Sequence, residues 1–280
     1  MKICKTVSEL ESAVSAFKTA GKSIGLVPTM GALHDGHISL FNRARNENDV
    51  FVASVFVNPI QFNNKEDFEK YPRDEQADLS VLEKCGCDIV FTPTPEEVYQ
   101  NQTPETWTFG ELEQVMEGKQ RPGHFSGVAN IVSRLFTWTK ADKAYFGEKD
   151  YQQILIIKDM VRQMGSSIEI IPCPIYRESD GLAASSRNKR LSQQARAIAP
   201  KIHEILTKSY QQKDFLSLSQ IKSFVETEFD KLKEFELEYF TLADADTLKV
   251  VKVKEPNQKV IGFIAVWLDG VRLIDIQKYF

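Results

Sequence analysis

Short apolar runs rich in β-branched residues alternate with segments of helical periodicity through the first two thirds of the chain. The runs are SIGLVPTM (23–30), DVFVASVFVNP (49–59), CDIVFTPTP (87–95), KAYFGEKD (143–150) and SIEIIPCPI (167–175). Runs this uniformly apolar are typical of strands buried on both faces of a parallel sheet. Between them, segments such as VSELESAVSAFKTA repeat apolar residues every three or four positions, as amphipathic helices do.

This alternation predicts an α/β fold, a doubly wound (Rossmann-like) parallel sheet with right-handed crossovers. From about residue 188 the pattern changes to polar helical segments, SQQARAIAPKIHEILTKSYQQ (192–212) among them, followed by three short runs, LEYFTLADADT, KVIGFIAVWLDG and VRLIDIQ. These predict a smaller C-terminal α+β domain of helices and a short antiparallel sheet, with turns near 255–258 and at 269–270. We place the boundary between about 176 and 190, giving domains 1–180 and 181–280.

Composition and charge narrow the class of protein. The chain has 280 residues, 42% of them hydrophobic and 26% charged, which is ordinary for a soluble protein. A formal net charge of −4 argues against a nucleic-acid-binding protein, which usually carries a basic stripe. Every apolar run is shorter than a membrane span requires, and charges interrupt the N-terminal segment, so we expect neither a membrane helix nor a secretory signal.

The four cysteines are Cys4, Cys85, Cys87 and Cys173. The Cys-x-Cys pair at 85–87 could be half of a metal site, but the sequence offers no second pair or nearby histidine to complete one. We therefore expect reduced, mostly buried thiols, no protein-bound metal and a cytoplasmic location.

Polar groups collect where the predicted strands end. Open α/β sheets bind ligands beyond the carboxyl ends of their strands. Four of the five predicted strands lead into segments dense in polar groups: PTMGALHDGH, VNPIQF, FGEKDYQQ and YRESDGLAASSRN. Together these segments suit a polyphosphate and a small polar substrate.

The first segment holds two of the four histidines, His34 and His37, in a glycine-containing turn before a helix predicted over 37–48. Glycines let the backbone approach a ligand closely, and a helix N-terminus offers free N–H groups to phosphate. The imidazoles could donate to phosphoryl oxygens as charge develops. The alternative is a capping turn built by His34 or Asp35. A zinc site would need two further ligands, which the sequence does not supply.

The other strand ends carry weaker candidates. Lys149 suits phosphate and Asp150 suits Mg²⁺ through water, although Gly-Glu-Lys-Asp is also an ordinary surface turn. The hydroxyls and arginine of 182–188 suit a triphosphate clamp, and Gln61 and Gln153 could bind hydroxyls or a carboxylate.

Three further residues are left without an assigned role. Arg121 could meet a carboxylate or belong to a plain Arg-Pro-Gly turn, and His124 lies just upstream of a helix predicted over 126–139. His203 falls in the middle of a predicted helix, which favours a structural role.

The ordered set PTMGALHDGH, FVNPIQF, YPRDEQAD, GHFSGVA, YFGEKDYQQ and DGLAASSRN, spread over 28–188, resembles the pantothenate synthetase (pantoate–β-alanine ligase) family. Its first and last members correspond to the His-x-x-His and Lys-Met-Ser-Lys-Ser-type loops of the wider nucleotidyltransferase superfamily. The resemblance implies condensation of (R)-pantoate with β-alanine to pantothenate, AMP and pyrophosphate through a pantoyl adenylate. It further implies ATP with Mg²⁺, no tightly bound organic cofactor, and a homodimer, whose interface could include the run DVFVASVFV.

The resemblance also implies residue roles. It gives catalytic roles to His37, as proton donor, and to His34 and Lys149. It assigns pantoate to Gln61 and Gln153, with Gln61 also near β-alanine. It assigns ATP to Met30, Gly31, Ala32, Leu33, His34, Asp35, Gly36, His37, Gly147, Glu148, Lys149, Asp150, Tyr176, Ala184, Ser185, Ser186 and Arg187. On this basis 1–180 binds nucleotide and pantoate, and 181–280 acts as a lid.

Tyr176 departs from the family pattern, which usually has a small aliphatic residue or Met there. If only the backbone of Tyr176 contacts adenine, the side chain is tolerated; otherwise the adenine pocket is reshaped.

Two rival functions stay open. One is a nucleotidyltransferase that passes CMP or AMP to a phosphorylated alcohol, which would share the His-x-x-His turn but not need FVNPIQF or GEKDYQQ. The other is a binding protein that kept the fold and lost the chemistry. An aminoacyl-tRNA synthetase is disfavoured, because the chain is acidic and has no anticodon-reading module.

Overall fold

A computed structural model of the chain describes residues 1–63, 65–100 and 103–280. It divides into two compact units. The first unit comprises Met1–Gly147 and Gln152–Pro174, and the second comprises Glu148–Tyr151 and Ile175–Phe280. The predicted division after residue 180 into a binding domain and a lid stays a prediction.

The described part of the first unit alternates strands and helices along the chain. Its strands are β1 (Lys2–Cys4), β2 (Ile24–Thr29), β3 (Val50–Val55), β4 (Ile89–Phe91), β5 (Lys143–Gly147) and β6 (Glu169–Cys173). Its helices are α1 (Val7–Thr19), α2 (Asp35–Glu47), α3 (Lys65–Glu69), α4 (Glu75–Lys84), α5 (Pro95–Tyr99), α6 (Met116–Gln120), α7 (His124–Thr139) and α8 (Tyr151–Gln163), whose first residue counts with the second unit.

All six strands pair in parallel, in the order β1-β4-β3-β2-β5-β6. The predicted doubly wound sheet is therefore confirmed. From β2 the chain builds outward through β3 and β4, and then returns to place β5 on the other side of β2. The carboxyl end of β2 is thus the switch point of the sheet, where open α/β folds form their ligand crevice. The short edge strand β1 was not predicted, since three residues are too few to establish a pattern.

Burial on both faces of the sheet explains the uniformly apolar runs. On β2, Leu26 packs into a cluster with α1, α7 and α8, while the next residue, Val27, packs into a second cluster with α2 and Leu82 of α4. Val52 and Phe51 of β3 divide in the same way. Residues 50–54 are buried within the first unit, whereas residues 49, 55 and 57 are at least partly exposed, so a role of this run in a dimer interface stays a prediction.

The second unit holds α9 (Gln193–Ile198), α10 (Lys201–Gln211), α11 (Leu218–Asp230) and the strands β7 (Phe235–Asp244), β8 (Val260–Leu268) and β9 (Val271–Lys278). The strands pair antiparallel in the order β7-β8-β9, confirming the predicted small sheet. The continuous helix expected over 192–212 is instead two helices. Pro200 separates them because proline has no amide hydrogen and its ring clashes with the preceding turn.

Within the described ranges, no helix has both the length and the apolar character needed to cross a bilayer.

Candidate active site

The loop that follows β2 at the switch point has an uncommon backbone. Gly31 has φ +80° and Ala32 has φ +52°, so two successive residues lie in the left-handed region. A Cβ on Gly31 would come within 2.7 Å of the Asp78 carboxylate and 3.1 Å of Val55 Cγ1. Only glycine fits both the conformation and the space at this position.

Amides of this loop are bonded to the protein itself. The Gly31 N–H donates to Thr29 Oγ1 at 3.3 Å, and those of Ala32 and Leu33 donate to the two carboxylate oxygens of Asp78 at 2.9 and 2.8 Å. Asp78 is buried and comes from α4. Asp78 belongs to the segment YPRDEQAD and lies 45 residues from Leu33, a separation across which sequence alone shows no contact.

His34 and His37 bond to backbone amides through the same ring nitrogen. His34 is the N-cap of α2, and its Nδ1 accepts from the Gly36 N–H at 3.1 Å. The Nδ1 of His37 accepts from the His34 N–H at 3.3 Å. The capping alternative is therefore confirmed for His34. The helix begins at Asp35, two residues before the predicted start, because this pair of bonds organises its first turn.

These bonds define the donor groups of the loop. An imidazole whose Nδ1 accepts a hydrogen bond carries its proton on Nε2 when neutral. The two ring centroids lie 4.1 Å apart, and in the neutral form each ring carries its N–H group at Nε2. The free amides expected at this helix end are mostly engaged, since those of residues 31–34, 36 and 37 all donate within the loop or to Asp78. An anion here would be bound mainly by side chains.

Gln61 lies beside this loop. It ends a 3₁₀ turn, Pro59–Gln61, that follows β3, and its side chain is buried. Its Nε2 donates to Met30 Sδ at 2.7 Å, and its Oε1 accepts from Asn58 Nδ2 at 3.3 Å. The structure thus brings together two of the predicted site residues, Met30 and Gln61.

The backbone of Gln61 packs against the first turns of α7. His124 Nδ1 lies 2.8 Å from the Gln61 carbonyl oxygen. His124 is the first residue of α7 and not upstream of the helix as expected. A Cβ on Gly127 would come within 2.6 Å of both Gln61 Cα and the Ile60 carbonyl oxygen, so the helix can approach this closely only because residue 127 is glycine.

Asn58 links Gln61 to its surroundings. Its Nδ2 also donates to the Gly127 carbonyl at 2.9 Å, and its Oδ1 accepts from the Tyr99 hydroxyl at 2.6 Å. Burial raises the pKa of Tyr99, which keeps the hydroxyl protonated as a donor. Because Oδ1 is committed as an acceptor, Asn58 must turn Nδ2 toward Gln61, and this fixes the orientation of the Gln61 amide.

Gln153 has no side-chain hydrogen bond to a described residue, whereas its neighbour Gln152 and Arg121 contact other parts of the protein. Gln153 is half-buried in the first turn of α8, and its side chain makes no hydrogen bond to any described residue. Its neighbour Gln152 is buried and bonds the backbone of Glu117, Leu112 and Val115. Arg121 meets a carboxylate of the protein itself, with Nη1 3.9 Å from Glu117 Oε2.

In the second unit, Glu148, Lys149 and Asp150 form a 3₁₀ turn directly after β5, whose last residue is Gly147. Glu148 accepts from Lys278 Nζ at 2.6 Å, while Lys149 Nζ lies 3.7 Å from the Asp150 carboxylate.

Residues 176–184 form a hairpin that leads into the hydroxyl-rich loop. The Tyr176 carbonyl accepts from the Ala184 N–H at 3.0 Å, while the Tyr176 side chain is 40% exposed. Ser185 then caps a 3₁₀ turn, Ser186–Arg190, through a bond from the Arg187 N–H to its Oγ at 3.2 Å. The predicted residues 184–187 are therefore held in one ordered turn.

Ion pairs of two arginines fix the hairpin at 176–184, and neither arginine was predicted from the sequence to have this role. Arg177 donates to both oxygens of the buried Asp275 at 2.7 and 3.0 Å. Arg196 bonds Asp180 at 2.7 Å and Glu178 at 2.6 Å, and it lowers the pKa of Asp180. Asp275 lies 98 residues from Arg177, a separation that local patterns do not reveal.

His203 of α10 lies against the hairpin at Gly181. A Cβ on Gly181, which has φ +93°, would come within 2.7 Å of His203 Cδ2. His203 Nδ1 is buried without a hydrogen-bond partner among the described residues. Burial and the nearby charge of Arg177 lower the pKa of His203, so the ring is held in its neutral form.

Potential metal ligands are dispersed. Among the described residues, no three or more His, Cys, Asp or Glu side chains cluster so that they could hold a metal ion. Cys4, Cys87 and Cys173 are buried free thiols, as expected, whereas Cys85 is only half-buried. Burial raises the pKa of Cys87 to about 12, which keeps it protonated.

Comparison with known proteins gives one consistent result. The family model described as Pantoate-beta-alanine ligase matches residues 2–278. Pantothenate synthetase from Bacteroides fragilis (strain YCH46) is 49% identical over 279 residues, covering 100% of this chain and 99% of that protein. That of Porphyromonas gingivalis (strain ATCC BAA-308 / W83) is 48% identical with the same coverage.

Two solved structures agree with these relatives. Pantothenate synthetase from Thermus thermophilus has a TM-score of 0.94 at 39% identity, with all of both chains covered. Pantoate-beta-alanine ligase from Francisella tularensis, complexed with beta-gamma ATP and β-alanine, has a TM-score of 0.82 at 37% identity, covering 100% of this chain and 98% of that one.

Replacement of Gly127 tests the packing beneath Gln61. We expect Gly127→Ala to lower the free energy of unfolding by about 1–3 kcal/mol, because the new methyl group overlaps backbone atoms that cannot move aside. Urea unfolding measures the change. Gly147→Ala is the matched control, since a Cβ there meets nothing within 4 Å, and its effect should stay within about 0.5 kcal/mol. Equal effects of the two variants would refute the packing argument.

The lowered pKa of His203 predicts a pH dependence of stability. In the unfolded chain the pKa of histidine is about 6.5, so His203 binds a proton more readily there than in the folded protein. The stability is therefore complete above that pH and falls as the pH drops toward the folded value. In His203→Leu this part of the dependence should vanish. Unfolding free energies measured from pH 8 to pH 5 check it, and parallel curves for the two proteins would contradict it.

Proposed function

Because the chain belongs to the pantoate–β-alanine ligase family, we propose that it condenses (R)-pantoate with β-alanine at the expense of ATP. The products are pantothenate, AMP and pyrophosphate, and the enzyme is a ligase that forms an amide bond. The match over residues 2–278 carries this proposal. The Francisella tularensis relative, complexed with beta-gamma ATP and β-alanine, supports two of the three substrates.

The reaction proceeds through pantoyl adenylate in two displacements. A pantoate carboxylate oxygen attacks the α-phosphorus of ATP, the new O–P bond forms, and pyrophosphate leaves with the electrons of the broken bond. The amine of β-alanine then attacks the acyl carbon, and AMP leaves. The first step needs positioning and charge neutralisation more than a strong base, because the nucleophile is already an anion.

The loop after β2 provides directional donors for the first step. His34 and His37 each accept through Nδ1 from a backbone amide, so the N–H group of each neutral ring is at Nε2. We assign both to the α- and β-phosphate oxygens, where negative charge grows during displacement. The family's proton-donor role falls on His37. Lys149 is assigned to phosphate, Ser185, Ser186 and Arg187 to the triphosphate, and the Tyr176 backbone to adenine.

Gln61 and Gln153 are assigned to pantoate. The Gln61 amide is already oriented by Asn58 and donates only to the weak acceptor Met30 Sδ. A substrate carboxylate is a much stronger acceptor and can replace that sulfur. Asn58, Tyr99 and His124 therefore serve the reaction by holding Gln61 in place.

The proposal also covers the metal ion, the location, the oligomeric state and the partners of the enzyme. Mg²⁺ enters with ATP as part of the substrate, and the Asp150 carboxylate is the type of oxygen group that engages this ion through water. The enzyme acts in the cytoplasm, an assignment that rests on its reduced cysteines, and as a homodimer, which rests on the family resemblance. Neither nucleic acid nor a membrane is among its partners.

Isotope exchange between pyrophosphate and ATP separates this function from its rival. We expect exchange that requires (R)-pantoate and does not occur with CTP, because the adenylate forms only on the substrate carboxylate. Labelled pyrophosphate appearing in ATP measures the rate. Exchange with CTP and a phosphorylated alcohol, but none with pantoate, would assign the chain to the other class of nucleotidyltransferase.

Asparagine substitutions separate the capping role of the histidines from the phosphate role. Asparagine places an acceptor near the position of Nδ1, so His37→Asn retains the bond from the His34 amide but lacks Nε2–H. We expect a fold as stable as wild type and pantoate-dependent exchange slower by about 10²–10³-fold. His34→Asn, a good N-cap, serves as the companion variant. Wild-type exchange in both variants would favour a capping role alone and a non-catalytic binding protein.

A further inference from the structure

Asp78 is a buried carboxylate that contacts the loop after β2. It is 4% exposed, in the first turn of α4. Its Oδ2 accepts from the Ala32 amide and its Oδ1 from the Leu33 amide, at 2.9 and 2.8 Å. The same carboxylate fills the space beside Gly31, where a Cβ would lie 2.7 Å from Oδ2. Three successive loop residues are therefore fixed by one side chain.

The loop needs such a support because its backbone is strained. Ala32 has φ +52°, a left-handed conformation that is unfavourable for a residue with a side chain. Strained residues persist where their surroundings over-determine them. Hydrogen bonds to a carboxylate are about twice as strong as those between neutral groups, so two of them outweigh this strain.

The conformation of the loop decides where the imidazoles point. Leu33, held by Asp78, directly precedes His34, whose backbone and ring together begin α2. The His34 amide in turn receives the ring of His37. A rotation at residues 32–33 would move both rings and release the bonds that place their protons on Nε2.

We propose that Asp78 is a positioning residue for ATP, acting through residues 32–33 to aim the Nε2–H groups of His34 and His37. The proposal rests on the proposed function, in which these imidazoles bind the phosphates of ATP. It gives the YPRDEQAD segment, left without a role by the sequence analysis, a specific part in nucleotide binding.

Asp78→Asn tests the proposal with a nearly isosteric change. One carboxylate oxygen becomes an NH₂ group, which opposes a loop amide instead of accepting from it. In the pantoate-dependent exchange assay we expect kcat/KM for ATP to fall by about 10–100-fold, while the KM for pantoate changes by less than about twofold. Unchanged kinetics for ATP in a folded Asp78→Asn protein would overturn the proposal.

Asp142→Asn is the matched control. The Asp142 carboxylate accepts from the Ile24 amide at 2.6 Å, so it also fixes the backbone of β2, but at the strand end away from the loop. We expect this variant to retain wild-type kinetics for ATP. A loss equal to that of Asp78→Asn would show that any weakening around β2 has the same effect, and would overturn the positioning role.

A second substitution separates positioning from folding. Glycine adopts the left-handed conformation at position 32 without strain. Ala32→Gly in the Asp78→Asn background should therefore restore a large part of the lost kcat/KM for ATP. If Asp78→Asn does not fold, the double variant is compared with Ala32→Gly alone. Failure of Ala32→Gly to restore either folding or ATP kinetics assigns Asp78 to the core and overturns the proposal.

Selective labelling gives a readout that does not depend on the reaction. The chain has only four histidines, so ¹⁵N-histidine spectra can report the tautomer of each ring. We expect His34 and His37 to carry their protons on Nε2 in wild type and in Asp142→Asn, and to show mixed tautomers in Asp78→Asn. If wild type shows no pantoate-dependent exchange, the proposed function fails, and this spectrum still decides whether Asp78 orients the rings.

Discussion

The candidate site depends on how one loop satisfies its own backbone amides. The loop after β2 leaves the centre of a sheet that is buried on both faces, so its amides need partners within the protein. Thr29, Asp78 and the δ nitrogens of two imidazoles supply them. Because the imidazole is the only one of these groups that accepts at one atom and donates at another, the side chains that complete the turn can also serve as donors in the proposed nucleotide binding. Folding and ligand binding thus share the same rings.

In the second unit, a loop of the candidate site is also fixed by contacts within the protein, here by ion pairs. Its hairpin at 176–184 is short and polar, and it is held from beneath by ion pairs of Arg177 with Asp275 and of Arg196 with Asp180 and Glu178. Arg177 and Asp275 are largely withdrawn from solvent, so removal of either partner would leave the other uncompensated. Ser185 and Ser186 of the following turn therefore continue from a hairpin that these ion pairs stabilise. The sequence around the serines does not indicate this support.

The sequence could predict those features that repeat along the chain. Strands buried on both faces must be apolar at every position, so β2 to β6 were found, and the alternation of β7 to β9 revealed the antiparallel sheet. The first residues of α2 and α7 were predicted two positions late, because the His34 cap of α2 and the left-handed Gly123 before α7 leave no mark on the apolar periodicity. The segment 192–212 was treated as one polar helical segment, although Pro200 divides it into α9 and α10.

The candidate site residues also divide into those that the sequence pattern reveals and those that only the fold reveals. His34, His37, Gln61 and the serine-containing loop lie in conspicuous segments after strands, so position along the chain was enough to find them. Asp78, Asn58, Tyr99 and Asp275 act by contact with residues tens of positions away. An Asp among several in YPRDEQAD cannot be singled out until the fold shows which carboxylate faces the loop.

The capping bonds of the two imidazoles have a further consequence for charge. A doubly protonated ring has no lone pair at Nδ1, so it would turn an N–H group against the very amide that now donates to it. The two Nδ1 hydrogen bonds therefore require a lone pair at that nitrogen. In the proposed function, rings bonded in this way would offer a phosphate the N–H dipoles at Nε2. The full positive charge that a triphosphate requires has to be supplied by cations other than these two rings.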